Sequence, residues 1–365
     1  MRQKSINFKI MEITIGKKKI SKHSPTYFIA DIAANHDGSL ARAIKLINLA
    51  KKSGADAVKF QHHNVSKYVS DYGFKSLGQK LSHQKKWKKS IFQVYKDAQV
   101  PRRWTEKLVR HCKEINIPFL STPYDLDTVD YLNKYLPAYK IGSGDLAWDD
   151  MINKISSKKK PFFIATGAST MKEVRHAVKI LKKKKSNFCL MQCNTNYTGS
   201  KKNFSYINLN VLKTFKKEFP NILLGLSDHT PGHETVLGAI TLGARVVEKH
   251  FTDDTKRAGP DHPFSMDPYT WRLMVDSSRN LENSLGDGIK RVEKNETQTV
   301  VLQRRSTRVI KNIKKGQTIT QADVEYQRPC PNNAITPNNS KKIFGKKVKR
   351  DIKSGDHLRK TDFNF

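Results

Sequence analysis

The strongest constraint on the fold is a repeating grammar. A short apolar run is followed by a polar turn and then an amphipathic stretch, and the unit recurs eight times. The apolar runs are Tyr27–Ala30, Ala57–Phe60, Phe119–Leu120, Ala138–Ile141, Phe162–Ala165, Phe188–Met191, Ile222–Leu224 and Val246–Val247. Helical spacing fills several of the intervals, for example Leu40 to Ala50 (Leu40, Ile44, Ile47), Met171 to Leu181, Ile207 to Phe219 and Thr235 to Leu242. Strands alternating with helices imply parallel βα units. Eight units within about 250 residues fit a closed (β/α)8 TIM barrel better than an open sheet. The open doubly wound alternative also lacks its G-x-G-x-x-G phosphate turn.

Three segments lie outside this grammar. A hairpin-like stretch, Ile13 to Ile20, turns at Gly16-Lys17 before the first unit. Tyr68 to Trp87 reads as one long irregular loop, a length that usually marks function or mobility. The alternation stops after Leu285-Gly286-Asp287-Gly288. The expected division is residues 1–285 for hairpin and barrel, 286–304 for a linker or extending helix, and 305–365 for a small β-rich domain. That last segment holds a weak echo, I-K-x-G at Ile313–Gly316 and Ile352–Gly355.

Charge narrows the function classes. The chain has 365 residues and a net charge of +35, from 68 Lys plus Arg against 33 Asp plus Glu. Such an excess invites a nucleic-acid partner. However, 51 of the basic residues are Lys and only 17 are Arg, whereas base readout and phosphate forks lean on Arg. The lysines also form small runs near the ends of predicted elements, as at 17–19, 158–160 and 182–185. We read them as a Lys-biased surface, with a polyanion partner as the alternative. No apolar run approaches the roughly 18 residues of a membrane span. The opening MRQKSINFKIMEITIG is too polar for a secretory signal. Four cysteines without a C-x-x-C pair look like thiols of a reducing compartment, so a soluble cytoplasmic protein is expected.

In a barrel, chemistry sits where strands end. Unusual polar residues recur there: Asp31, Asn35 and His36 after the first run; Lys59 and Gln61 on the second; Thr122 after the third; Lys140 and Ser143 around the fourth; Thr166 after the fifth; Asn194 to Tyr197 after the sixth; Ser227 to His229 after the seventh; Glu248 to His250 after the eighth. Lys59 and Lys140 sit among apolar neighbours, and a buried ammonium needs an anion. That anion is either a bound one, the favoured reading, or an internal carboxylate. The hydroxyls of Thr122, Ser143, Thr166 and Ser227 are loop caps individually but resemble a phosphate or carboxylate cradle together. His229 and His250 end consecutive strands, and two imidazoles there suit a divalent ion such as Mn²⁺ or Zn²⁺. Glu248 and Asp261 are near enough in sequence to serve as acid, base or support.

These residues resemble the N-acetylneuraminate (sialic acid) synthase family over almost the whole chain. The matching stretches are FIADIAANHDG, AKKSGADAVKFQ, FLSTPYDLDTVDYL, AYKIGSGDL, ATGAST, LGLSDHTPGH, LGARVVEKHFTDD and GPDHPFSMDP. The tail resembles the family's antifreeze-like (SAF) domain, through RRSTRVIKNIKKGQTIT, Arg328-Pro329 and DIKSGDHLRKTDF. The resemblance implies nonulosonic acid biosynthesis: condensation of phosphoenolpyruvate with N-acetylmannosamine or a related N-acetylated amino-hexose, giving a nine-carbon keto sugar acid and phosphate. By position it implies that Lys59, Thr122, Lys140, Ser143, Thr166, Thr195 and Ser227 hold phosphoenolpyruvate. His229 and His250 would bind Mn²⁺, with Mg²⁺ or Co²⁺ as substitutes. Gln61, Tyr197, Asp261 and Arg328 would face the sugar, and Asp31, His36 and Glu248 the reacting centre. It further implies a homodimer in which the SAF domain of one subunit caps the barrel of the other.

Three departures fall on the sugar side. Asp31 stands where the family usually has Glu, Thr198 follows Tyr197 where Pro is usual, and Cys330-Pro331-Asn332-Asn333-Ala334 follows Arg328-Pro329 in place of a Gly-rich run. The phosphoenolpyruvate chemistry is therefore expected to persist while the sugar differs, pseudaminic or legionaminic acid precursors being candidates. Two rivals are a barrel aldolase for a phosphorylated pentose or tetrose, opposed by the tail and the Ser227-Asp228-His229-Thr230 motif, and a non-enzymatic polyanion-binding module, opposed by Lys59, Lys140, His229 and His250.

Overall fold

The structure, a computed structural model, describes residues 11–365. It opens with the expected hairpin, β1 (Ile13–Ile15) antiparallel to β2 (Lys18–Ile20) across Gly16 at φ 57°. Eight strands follow: β3 (Tyr27–Asp31), β4 (Ala57–His62), β5 (Phe119–Pro123), β6 (Tyr139–Ile141), β7 (Phe162–Ala165), β8 (Phe188–Cys193), β9 (Leu223–Asp228) and β10 (Val246–His250). They close into a parallel barrel in sequence order, β10 completing it against β3. All eight predicted runs are barrel strands, and the TIM-barrel expectation holds.

The alternation of side chains along each strand separates two cores. Tyr27, Ile29, Ala57, Leu120, Ala138, Phe163, Cys189, Met191, Leu223 and Val246 share one buried cluster with Ile13, Ile15 and Ile20 of the hairpin. This cluster fills the barrel interior, and the hairpin packs with its lower layers. The alternate residues, such as Phe28, Val58, Phe60, Phe162, Leu190, Leu226 and Val247, join the helices in a second, larger core. Above the apolar filling the inward positions turn polar: Asp31, Lys59, Thr122, Lys140, Ser227 and Glu248 are all buried.

The interior leaves little slack at Gly225. A Cβ there would lie 2.8 Å from the Val246 carbonyl oxygen and 3.0 Å from both Cys189 Sγ and Met191 Cγ. Gly225→Ala is therefore expected to destabilise the barrel by about 1–3 kcal/mol, as overpacked cores do. A denaturation midpoint equal to that of the parent would refute this.

Local chemistry sets the helix starts. Ser39 accepts from Arg42 N at the start of Leu40–Lys52, and Thr170 with Glu173 forms a capping box before Met171–Lys183. The helix predicted from Ile207 starts only at Val211, because Ile207 ends a 3-10 turn and Asn208 adopts φ 49°. The expected irregular loop Tyr68–Trp87 also needs correction. It holds the helix Asp71–Ser76 and a 3-10 turn Ser82–Lys86, flanked by the helices Val65–Tyr68 and Ile91–Asp97. Elements of four to seven residues are too short to show helical periodicity. They are fixed by caps at Asn64, Ser70 and Ser90 and by a small cluster in which Val65, Val69 and Ile91 pack with Tyr68, Phe74, Trp87, Phe92 and Tyr95.

The chain divides into two compact units, Met1–Gly286 and Asp287–Phe365. The second contains the short helix Thr297–Gln303 and an antiparallel pair, β11 (Ser306–Val309) with β12 (Val324–Gln327). Ile313 and Ile352, the leading residues of the I-K-x-G echo, pair across an antiparallel bridge and share a buried core with Ile319, Ile343, Val348 and Leu358. All four cysteines are free and buried. Among the described residues no helix is long and apolar enough to cross a membrane.

Candidate active site

The C-terminal mouth of the barrel holds a polar cavity of about 240 Å³. Period-two alternation delivers Asp31 from β3, Lys59 and Gln61 from β4, Thr122 from β5, Lys140 from β6, Ser227 from β9, and Glu248 with His250 from β10. The loops after β6, β8 and β9 add Ser143, Tyr197 and His229. Eleven of the residues singled out in the sequence thus line one cavity.

Each buried lysine has a carboxylate partner inside the barrel, so the favoured expectation of a bound anion as counter-charge gives way to internal pairing. Lys59 Nζ lies 2.6 Å from Asp31 Oδ2 and 3.8 Å from Glu248 Oε1, and it donates to Thr122 Oγ1 at 3.2 Å. Lys140 Nζ donates to Glu248 Oε1 at 2.6 Å, which also accepts from Ser227 Oγ at 3.2 Å. Gln61 Nε2 donates to Asp31 Oδ2 at 3.1 Å. The shortened acid at position 31 therefore reaches Lys59 and Gln61 directly.

The two carboxyls are pushed apart. Burial raises Asp31 above the ordinary aspartate value, and the neighbouring Glu248 adds to this, although Lys59 opposes both. Burial also acts to raise Glu248, but Lys140 and Lys59 outweigh it and hold the carboxyl down to about 2. For Lys59, burial is overcome by Asp31 and Glu248, which raise its proton affinity. Asp31 is thus the more readily protonated acid and Glu248 the standing carboxylate, a division that enzymes use for acid and base roles. Glu248 Oε2 has no hydrogen-bond partner despite its burial.

His229 and His250 face each other with ring centroids 5.4 Å apart. Burial holds both imidazoles neutral, down to about 3. His229 Nδ1 lies 2.9 Å from the Asn194 carbonyl oxygen, so its Nε2 is left for a ligand. His250 Nδ1 is buried without a hydrogen-bond partner, with Asp261 Oδ2 3.7 Å away. No ready-made cluster of three or more His, Cys, Asp or Glu ligands occurs among the described residues. Two neutral nitrogen donors with an orphaned buried atom nevertheless fit a divalent ion whose remaining positions are filled by substrate oxygens or water.

Five expected residues are not in this cavity. His36 is fully buried beside it, its Nε2 3.2 Å from the Ala98 carbonyl oxygen and its Nδ1 accepting from Gly38 N at 3.1 Å. Both of its ring nitrogens are thus engaged by backbone groups outside the cavity. Thr166 Oγ1 is tied to the Met191 carbonyl oxygen at 3.0 Å, and the adjacent Gly167 N donates to Ser143 Oγ at 3.0 Å. Thr195 lines an outer groove with Ser82, Asn194 and Tyr206 instead. Arg328 is an exposed residue of the second unit. Asp261 accepts from Ala34 N at 3.1 Å and lines an adjoining chamber.

The cavity also includes Tyr68, Tyr124, Asp145 and Cys193, which we did not anticipate. Burial pushes Asp145 up to about 6. Tyr124 directly follows the strand end Ser121-Thr122-Pro123, and its position after a strand was the available signal. For Tyr68 the sequence held no equivalent signal.

A model of the NeuB family matches residues 46–290, and one of the SAF domain matches residues 304–364. An uncharacterised protein of Methanocaldococcus jannaschii is 35% identical over 94% of this chain and 96% of its own length. The N,N'-diacetyllegionaminic acid synthase of Campylobacter jejuni is 33% identical over 92% of this chain and 99% of its own. Among solved structures, the N-acetylneuraminic acid (sialic acid) synthetase of Leptospira borgpetersenii superposes with a TM-score of 0.69 at 27% identity, covering 80% of this chain and 96% of that one.

Proposed function

The chain belongs to the NeuB family, and from that premise we propose that it condenses phosphoenolpyruvate with an N-acetylated amino-hexose to give a nonulosonic acid and phosphate. The observation that carries this reading is the buried polar layer at the barrel mouth, where two lysines stand among hydroxyls and two carboxylates of unequal proton affinity. Lys59 and Lys140, with Thr122, Ser143 and Ser227, receive the phosphate and carboxylate of phosphoenolpyruvate. They hold it at near-attack distance from the sugar aldehyde.

C3 of phosphoenolpyruvate forms the new bond to the aldehyde carbon. Water adds at C2, and the tetrahedral intermediate loses phosphate by C–O cleavage. Asp31, the carboxyl of higher proton affinity, is placed to move a proton at the reacting centre, and Glu248 to accept one from the attacking water. A divalent ion, Mn²⁺ by preference, would be held by His229 and His250 and would supply Lewis acidity toward the aldehyde oxygen. Gln61, Tyr197 and Asp261 orient the sugar. We also propose a cytoplasmic homodimer in which Arg328 of one subunit serves the sugar bound in the other.

The direct test is incubation with phosphoenolpyruvate and amino-hexose acceptors, following phosphate release and the nine-carbon product by mass. Absence of both with every acceptor sinks the reading. Dialysis against a chelator is expected to abolish phosphate release, with Mn²⁺ restoring it; full activity in the metal-free protein would overturn the metal assignment. Arg328→Ala is expected to raise KM for the sugar at least about tenfold, the loss of a charged contact, while KM for phosphoenolpyruvate stays within twofold. Unchanged sugar kinetics would remove Arg328 from the site.

A further inference from the structure

The loop between β10 and the helix Pro268–Ser284 carries Asp261, and its only regular element is the 3-10 turn His262–Phe264. Loops of that kind are ordinarily mobile. A carboxyl that orients a reactant must instead be held still.

The restraint comes from the loop after β3 and the helix that follows it. His262 is fully buried, with Nε2 2.9 Å from Asp37 Oδ1 and Nδ1 2.7 Å from Thr252 Oγ1. The second oxygen of Asp37 takes Arg42 Nε at 2.9 Å and Arg257 Nε at 3.4 Å. Arg42 also forks onto Asp253, Nη2 to Oδ1 at 2.6 Å and Nη1 to Oδ2 at 3.0 Å. Asn35 Nδ2 donates to the Phe251 carbonyl oxygen at 2.9 Å and to Ser265 Oγ at 2.8 Å. Packing closes over the same pair. A Cβ on Gly259 would lie 2.5 Å from His262 Cδ2 and 3.5 Å from Asp37 Oδ1, so the loop backbone passes directly against the imidazole.

Asp261 adjoins His262 in the chain. It accepts from Ala34 N at 3.1 Å, and its Oδ2 lies 3.7 Å from His250 Nδ1. Asp37 lines neither the polar cavity nor the chamber that Asp261 lines. It borders an outer groove together with Gly259 and Pro260. Its influence on the chemistry therefore runs through the place of Asp261.

Resting on the synthase reading above, we propose that Asp37 and His262 are positioning residues, whose contact locks the loop after β10 onto the loop after β3 and so sets the place of Asp261 against the acceptor. A misplacement of about 1 Å can cost about 10²-fold in rate.

The test follows phosphate release with N-acetylmannosamine and with its 4-acetamido-4,6-dideoxy analogue. Asp37→Ala and His262→Phe are each expected to lower kcat/KM for the acceptor by roughly 10- to 100-fold. Calorimetric titration with phosphoenolpyruvate should give the parent's Kd and its full number of sites, since Lys59, Lys140 and Ser143 stand on other elements. Asp37→Asn keeps an oxygen for His262 and should recover most of the loss. In an Asp261→Asn background, adding Asp37→Ala should cost less than about threefold, because the group through which Asp37 acts is already gone. Gly259→Ala keeps every hydrogen-bonding group but pushes the loop off the imidazole, and should show the same selective loss. An equal cost of Asp37→Ala with and without Asp261, or a loss of phosphoenolpyruvate sites in step with activity, marks a merely structural pair and overturns the proposal. Should Asp37→Ala not fold, Gly259→Ala decides, and unchanged acceptor kinetics in that variant overturn the proposal. No phosphate release by the parent with any amino-hexose overturns the synthase reading itself, and the role of the pair with it.

Discussion

Replacing Lys140 by methionine is expected to lower kcat/KM for phosphoenolpyruvate by about 10²–10³, the usual cost of removing one preorganised charge from a water-poor site. Three features of the site set this size. Lys140 is 3% exposed, so little solvent screens it. Its ammonium and that of Lys59 are the cations lining the cavity, and phosphoenolpyruvate is multiply anionic. Removal also frees Glu248, which Lys140 contacts at 2.6 Å, to add a carboxylate's repulsion where the reactant's negative groups must sit. The same change raises Glu248 from its depressed value, since Lys140 is the stronger of the two charges opposing burial. The activity of the variant should therefore recover partly at lower pH, as the carboxyl protonates, whereas the parent shows no such limb. A stability effect is separable from the catalytic one. In the double variant Lys140→Met with Glu248→Gln no unpaired buried charge remains, so its melting temperature should rise above that of the single variant while phosphate release stays low. Turnover of the single variant within tenfold of the parent would remove Lys140 from the phosphoenolpyruvate site.

The difference between what could and could not be read from the sequence has a physical basis. Barrel strands are apolar on both faces, so Phe162-Phe163-Ile164-Ala165 and Phe188-Cys189-Leu190-Met191 stand out as runs without any tertiary knowledge. The polar residues that interrupt such runs, Lys59, Lys140 and Glu248, were legible for the same reason: charge in a buried strand demands an explanation. Their pairing was not legible. Which carboxylate meets which lysine depends on the closure of the barrel, which brings Glu248 of β10 to Lys140 of β6 across its centre. Hydroxyls were the weakest signal. Thr166 and Ser143 look equivalent in sequence, yet one bonds a strand carbonyl and the other faces the cavity. His36 misled because burial, and not exposure at a strand end, governs it. The aromatic cluster was missed because its members come from short helices and the turns beside them, which have no periodicity of their own, and only their packing brings Tyr68, Trp87 and Tyr95 together.

Lys249→Met is expected to destabilise the barrel by about 3–5 kcal/mol, the cost of leaving a buried charge without its partner. Lys249 sits between Glu248 and His250, so strand alternation turns it away from the cavity, toward the surrounding helices. There it pairs with Asp228, its register partner on β9, both side chains being 1% exposed. Lys249 Nζ also donates to the Thr230 carbonyl oxygen at 2.7 Å, while Asp228 Oδ2 accepts from Thr230 Oγ1 and Thr235 Oγ1, each at 2.8 Å. The pair joins the strand ends that carry Ser227 and His229 on one side and Glu248 and His250 on the other. In the parent, burial acts to raise Asp228, but Lys249 and the hydroxyls outweigh it and hold the carboxyl below its ordinary value. Its depressed value contributes stability above the unfolded pKa of about 4, and that stability is lost as pH falls through the folded value. Without Lys249 the sign reverses. Burial then raises the folded value above the unfolded one, so protonation favours the folded variant. The stability gap between parent and variant should therefore be widest near pH 7 and narrow on acidification toward pH 4. Replacing both partners, Lys249→Met with Asp228→Leu, should return most of the lost stability, because no unpaired charge remains. Chemical denaturation of the three proteins across this pH range checks the prediction, and a single variant within 1 kcal/mol of the parent at pH 7 would show that the pair does not hold the two strand ends together.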